Sequence, residues 1–149
     1  MAQPGTLFVM ARVPEAIREA LMCVLVVGGL DAKLGDALYP LRNWHQSLSD
    51  LHPAEARDAM RRACAELDAR AFHLQFDQLR STGSEGGRIH WAFVPSGGTC
   101  DGLALLQAEL RERLHAHGIV EAQGHRPHVT VSYKANQRIG TLDIPPVCG

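Results

Sequence analysis

Long apolar runs, paired cysteines and a surplus of either charge are missing from this sequence, and each absence closes off a class of protein. The most apolar stretch, Ala20-Leu21-Met22-Cys23-Val24-Leu25-Val26-Val27, falls far short of the roughly 20 residues that a membrane-spanning helix needs. Cys23, Cys64, Cys100 and Cys148 form no CxxC pair, so they read as scattered, small buried hydrophobes rather than a disulfide framework. A net charge of −1 excludes a general nucleic-acid coat protein, because counterion release needs a positive field. It still permits an enzyme that grips a few phosphates. Gly28-Gly29 to Gly35 is followed by no Gly-Lys-Ser/Thr, so there is no phosphate-binding P-loop. The opening Met-Ala-Gln-Pro-Gly carries no basic segment, and a soluble cytoplasmic protein is expected. Low-complexity segments and short-period repeats are also lacking.

What is present suits an ordinary globular chain. Its 149 residues, 46% of them hydrophobic, make a single domain (residues 1–149) or two small lobes sharing an interface. A chain of this length buries about two-thirds of its unfolded surface and needs no staples. Thr6 to Val13 reads as a buried first strand. Pro14 and Glu15 suit the first turn of a helix that runs to about Val27 and stops at Gly28-Gly29. After a loop punctuated by Gly35 and Pro40, Asn43 to Leu51 reads as a strand with Trp44 and Leu48 on one face and His45 and Ser47 on the other. Pro53 to about Ala69 has helical spacing in Ala56, Ala59, Met60, Ala63 and Leu67. Ala71 to Leu79 and Arg88 to Val94 alternate as an antiparallel pair across a Gly/Ser-rich turn, Ser81 to Gly87. A third helix, capped by Thr99 or Asp101, carries Leu103, Leu106, Leu110 and Leu114 and ends at Gly118. Strands follow at Pro127 to Tyr133 and, more weakly, at Ile139 to Ile144. The mixture predicts an α+β protein with helices packed outside antiparallel sheets.

Two of these strands repeat one pattern. His45-Gln46-Ser47-Leu48 and His128-Val129-Thr130-Val131 each run histidine, any residue, hydroxyl residue, aliphatic. On a strand the histidine and the hydroxyl share a face, while the aliphatic points into a core. One such tetrad is common by chance; two on separate strands are not. The chemistry suits phosphodiester hydrolysis. One imidazole takes a proton from water while the other gives one to the leaving oxygen, and a pKa near about 6.5 serves both near neutrality. The hydroxyls of Ser47 and Thr130 can donate to non-bridging phosphate oxygens as charge develops there. The arrangement requires neither metal nor cofactor.

The paired tetrads resemble the signature of the two-histidine (2H) phosphoesterase superfamily. The surroundings resemble its bacterial 2′-5′ RNA ligase-like, cyclic phosphodiesterase branch. An opening strand followed by the helix Pro14-Glu15-Ala16-Ile17-Arg18-Glu19-Ala20-Leu21, Asn43-Trp44 before the first tetrad, and Arg126-Pro127 before the second support it. The resemblance implies a two-lobed, pseudo-symmetric fold of antiparallel sheets with the two histidine strands facing each other across a central groove. It also implies hydrolysis of a 2′,3′-cyclic phosphate to a 2′-phosphate, with reversible 2′-5′ ligation. By that analogy His45 is the general acid and His128 the general base. The substrates implied are RNA ends or small cyclic nucleotides, with no membrane partner. Three departures stand out. Ser47 replaces the commoner threonine, and Gln46 is polar where the family packs an apolar residue. The chain also stops at Pro145-Pro146-Val147-Cys148-Gly149 where relatives continue into a further hairpin, so the C-terminal lobe is expected to be trimmed, completed by a partner chain, or simply shorter.

Other residues admit two readings. Arg126 and Lys134 flank the second strand and either steer phosphate or stay solvated. Tyr133 either stacks on a base or packs. Trp44 and Trp91 belong with the core. His115 and His117, two apart near a helix end, fall on different faces and make a poor metal pair. His125 and His128 could join a cysteine around zinc, but no second paired ligand motif supports that. Two rivals remain: a non-catalytic RNA- or nucleotide-binding module on the same fold, and an unrelated α+β interaction domain whose histidines lie far apart.

Overall fold

A computed structural model describes residues 5–68, 70–84, 86–122 and 124–148. In chain order the elements are β1 (Thr6–Leu7), β2 (Met10–Arg12), α1 (Glu15–Val27), α2 (Leu30–Leu34), β3 (His45–Ser47), β4 (His52–Pro53), α3 (Arg57–Ala65), β5 (Gln75–Thr82), β6 (Ile89–Val94), α4 (Asp101–Ala116), β7 (Val129–Ala135) and β8 (Thr141–Cys148). Short 3-10 turns lie at Gly35–Ala37, Leu41–Asn43 and Ala54–Ala56. The α+β class is as expected. No helix among the described residues is long and apolar enough to cross a membrane.

The chain forms two compact units, each with its own core. The helical unit takes the residues up to Ala11 together with Ser47–Phe72 and Thr99–Arg126. In it β1 pairs antiparallel with β4, Thr6 opposite Pro53 and Leu7 opposite His52. Its α3 packs on α4, and Met60, Ala63, Leu103, Leu110 and Leu114 join Leu48 and Ile119 in the core. Gly102 opens the first turn of α4 because a Cβ there would meet the Phe72 side chain at 2.3 Å.

The sheet unit takes Arg12–Gln46, His73–Gly98 and the residues from Pro127 on. Its four strands lie in the order β7-β6-β5-β8, all antiparallel. Alternation puts Ile89, Trp91 and Phe93 of β6 into the core with Phe76, Leu79, Val129 and Val131. Helix α1 adds Leu21 and Leu25, one turn apart and fully buried, each stabilising by roughly 1.5–3 kcal/mol. Pro14 precedes α1 as its N-cap with φ −56°, and Gly29 leaves it at φ +67°, where a side chain would be strained.

Several sequence expectations are corrected. The first strand is broken and only partly buried. Its Val9 carbonyl accepts the N–H groups of Leu48 and Ser49 (2.9 and 3.2 Å), and its N–H donates to Ser49 Oγ (2.7 Å). The strand expected at Asn43 to Leu51 shrinks to β3 for two reasons. A 3-10 turn ends at Asn43, and Ser49 turns away toward Val9 and its own neighbour Asp50. Helix α3 stops at Ala65, and the expected end at Ala69 lies outside the described residues. Strand β5 starts at Gln75 instead of Ala71, because Phe72 belongs to the helical unit's core and the alternation read through it joins two different cores. Cys100, not Thr99 or Asp101, occupies the N-cap of α4, and Asp101 serves the helix from its first turn. Strand β8 runs on through Pro145-Pro146. It is an edge strand, and the prolines fall in a register break between Asp143, opposite Gln78, and Val147, opposite Phe76.

Candidate active site

The first tetrad is set by the residue before it. Trp44 is 1% exposed, packs its ring near Phe93 and donates from Nε1 to the Tyr39 carbonyl at 2.9 Å. With Trp44 turned into the core, extended backbone turns His45 the other way. His45 keeps 9% of its surface exposed, and its Nδ1 bonds the Asn43 carbonyl at 2.7 Å. A carbonyl only accepts, so Nδ1 carries a proton and the basic nitrogen of the neutral ring is Nε2. Gln46 then points inward and is 4% exposed. Its Oε1 accepts the main-chain N–H of His128 at 2.7 Å, joining the two histidine-bearing segments inside the sheet unit. The polar residue that broke the expected pattern is thus a cross-link. Ser47, half-buried, is the first residue of the helical unit's next segment.

The second tetrad begins one residue before β7. His128 is half-buried, Val129 and Val131 are fully buried, and Thr130 is 8% exposed. Strand β7 is an edge of the sheet and slips in register against β6, with Ala92 opposite Thr130 but Trp91 opposite Ser132. Such bulges re-aim side chains. Here the slip leaves the Thr130 hydroxyl near that of Tyr133, whose pKa it pulls down.

Two aromatic rings meet Tyr133. Tyr39 donates its N–H to the Val131 carbonyl at 2.7 Å. Its ring stands edge-on to Tyr133, centroids 4.9 Å apart, and to His45, 6.4 Å apart. His90 of β6 stands edge-on to Tyr133 at 5.5 Å. Burial pushes the Tyr133 hydroxyl above its usual pKa range, against the opposing pull of the Thr130 hydroxyl. Burial, reinforced by the positive charge of Arg88, holds His90 below its usual value.

The structure therefore gathers His45, His128, Thr130 and Tyr133 in one unit with three residues that sequence reasoning missed: Tyr39, Gln46 and His90. Arg126 belongs to the helical unit and Lys134 to β7, and both are exposed. Trp44 and Trp91 are core residues as expected, and Trp91 Nε1 donates to the Gln137 carbonyl at 2.9 Å. Three of the other histidines are engaged in the helical unit. His52 pairs with Glu121, His117 bonds Glu66 at 2.8 Å, and His125 lies 3.4 Å from Asp50 while Gln107 bonds both its main-chain groups. Among the described residues, no three His, Cys, Asp or Glu side chains gather as metal ligands. The cysteines are not the buried hydrophobes expected: Cys23 and Cys148 are exposed, and Cys64 and Cys100 only partly covered.

Comparison with known proteins now has a geometry to meet. The family model of the 2′-5′ RNA ligase superfamily matches residues 36–141, which include both tetrads. No curated protein sequence matches the chain. Among solved structures, that of E. coli LigT in apo form superposes with a TM-score of 0.66 at 20% identity, over 98% of this chain and 80% of that one. E. coli LigT complexed with 3′-AMP gives 0.64 at 22% identity, over 97% and 79%. A crystal structure of a phosphoesterase gives 0.64 at 21% identity, over 97% and 80%. At these identities the structures speak for the fold, and the sequence match over most of the chain speaks for the family. The chain belongs to the 2′-5′ RNA ligase superfamily, a branch of the 2H phosphoesterases.

Proposed function

We propose that this protein is a metal-independent phosphodiesterase that opens 2′,3′-cyclic phosphates of RNA ends or small nucleotides to 2′-phosphates. The observation that carries this reading is the 2.7 Å bond from the His128 N–H to Gln46, the residue that follows His45. It ties two segments bearing the same histidine-hydroxyl pattern to each other. His128 acts as general base and takes a proton from the attacking water. His45, oriented through Nδ1 by the Asn43 carbonyl, acts as general acid from Nε2 and protonates the departing ribose oxygen. Ser47 and Thr130 donate to the non-bridging oxygens as negative charge builds on the phosphorus centre. With the 5′-hydroxyl of a second RNA in place of water, the same proton transfers open the ring to a 2′-5′ linkage: His128 takes the 5′-hydroxyl proton and His45 protonates the departing 3′-oxygen. Structures of E. coli LigT complexed with phosphate and with 3′-AMP support a substrate of this class.

The test is turnover of a 2′,3′-cyclic nucleotide with chelator present, followed by identification of the phosphate position in the product. His45→Ala and His128→Ala should each lower kcat by about 10²–10⁴-fold, the usual contribution of a positioned acid or base, with the fold retained. Unchanged turnover in either variant overturns the assignment. Tight binding of the cyclic nucleotide without hydrolysis by the intact protein supports the non-catalytic module instead.

A further inference from the structure

We infer that Arg80 selects the substrate by binding the phosphate on the 5′ side of the cyclised nucleoside. A substrate carrying a phosphate there is then preferred to a bare cyclic nucleoside phosphate. This rests on the phosphodiesterase reading and narrows its substrate class.

Strand pairing sets one row of residues across the sheet. Thr130 of β7 lies opposite Ala92 of β6, Ala92 opposite Arg80 of β5, and Arg80 opposite Thr141 of β8. Residues directly opposite one another share a face of the sheet. The flanking Leu79, Trp91, Phe93 and Val129 fill the core, so alternation turns the whole row to the other face. There Ala92 is half-buried, and Arg80 and Thr141 are exposed. The hydroxyl of the second tetrad thus starts a row whose one charged member is Arg80.

Spacing decides which phosphate Arg80 meets. Neighbouring strands lie about 4.7–4.9 Å apart, so the backbones of Thr130 and Arg80 are separated by roughly 10 Å. The Arg80 side chain does not lean back over Ala92. Its Nη2 donates to Gln78 Oε1 at 3.3 Å, along its own strand. That keeps the guanidinium off a phosphate held at Thr130 and leaves it for the next one along the nucleotide chain. Ala92, a single methyl in between, leaves room for the ribose and base that join the two.

Charge favours the same occupant. Among the described residues Arg80 makes no ion pair with a carboxylate. Asp143 of β8, opposite Gln78, accepts instead from the Gln78 amide at 3.2 Å. A guanidinium carries five N–H donors in a fork that fits phosphate, and Gln78 takes one of them. The rest can grip an anion two at a time.

The experiment compares kcat/KM of the intact protein for three substrates. They are a nucleoside 2′,3′-cyclic phosphate, the same compound with a 5′-phosphate, and a dinucleotide ending in the cyclic phosphate. The wild type should favour the dinucleotide over the bare compound about tenfold, mostly through KM, the size of one charge-assisted hydrogen bond near the surface. Arg80→Gln should erase that preference, and Arg80→Lys, which keeps the charge without the fork, should retain part of it. A gain shared by the 5′-phosphorylated compound supports the site and shows that a free phosphate suffices. A gain confined to the dinucleotide supports it and shows that the RNA diester is required. A merely structural role would slow all three substrates in proportion, so a preserved ratio in Arg80→Gln overturns the inference, as does a wild type with no preference. The parent reading fails separately, when the wild type turns over none of the three. The comparison is then made by Kd, between a dinucleotide ending in a 2′-phosphate and a nucleoside 2′-phosphate. Tighter dinucleotide binding that Arg80→Gln removes supports the site; a difference that persists, or none in the wild type, overturns it.

Discussion

His45 stands on a strand of three residues and is oriented through its ring, by the Nδ1 bond to Asn43. His128 stands at the mouth of a seven-residue strand, with its main-chain N–H bonded to the Gln46 side chain. The intervening residues differ just as much. Gln46 reaches across to the second tetrad, whereas Val129 is a core residue with no surface exposed. Two segments with one pattern are therefore not duplicates. The first tetrad holds its own histidine and helps to hold the other, so damage at its second position should be felt at His128.

That asymmetry can be broken deliberately. Gln46→Leu keeps the volume but strips a buried N–H of its acceptor, which costs about 1–3 kcal/mol. Cyclic-nucleotide turnover should fall about tenfold in this variant, beyond what its lower melting temperature explains. A Gln46→Leu enzyme with normal kcat would remove the cross-link from the account. Val129→Ala should behave differently: it loses buried methyl groups from the core, so calorimetry should show a lower Tm while kcat per folded molecule stays near the wild-type value.

The aromatic side of the second tetrad offers a smaller, pH-dependent contrast. Burial depresses His90 below its ordinary value of 6.5, so the unfolded chain takes up the proton first as pH falls. The His90 contribution to stability is present above about pH 6.5 and is lost as pH falls through the depressed folded value. His90→Gln should flatten that part of the curve in denaturant titrations; an unchanged slope would contradict the assignment. Smallest of all should be Ser96→Ala. The Ser96 hydroxyl and N–H both donate to Asp77 (2.7 and 2.6 Å) and hold its carboxyl below the usual range. Stability from this pair is present above the ordinary value of 3.8 and is lost in stronger acid. The variant should unfold at slightly higher pH in an acid titration followed by circular dichroism.

The sequence carried much of this, unevenly. Residue alternation was enough for β6, and a heptad-like leucine row for α4, because both elements are long and face a single core. Helix α2, five residues long, is too short for any period to register. The stretch through Phe72 and Phe76 misled because adjacent alternating residues serve two different cores. At the site, the period-2 rule put each tetrad on a strand, while Gln46 registered only as a polar departure. It could not say that an inward amide would find the His128 main chain, since that partner lies 82 residues away. Tyr39 and His90 were equally silent: each reaches Tyr133 through tertiary contact alone. The bulge in β7 hid the relation of Thr130 to Tyr133, which strict alternation forbids.

The central claim is that both imidazoles act on one phosphate, and a histidine double-mutant cycle in kcat/KM tests it most directly. Groups that work as a unit are grossly non-additive. The account predicts that His45→Ala combined with His128→Ala is scarcely slower than the worse single variant, in chelator, on a 2′,3′-cyclic nucleotide. Losses that multiply across the two sites would contradict it, as would full activity in either single variant.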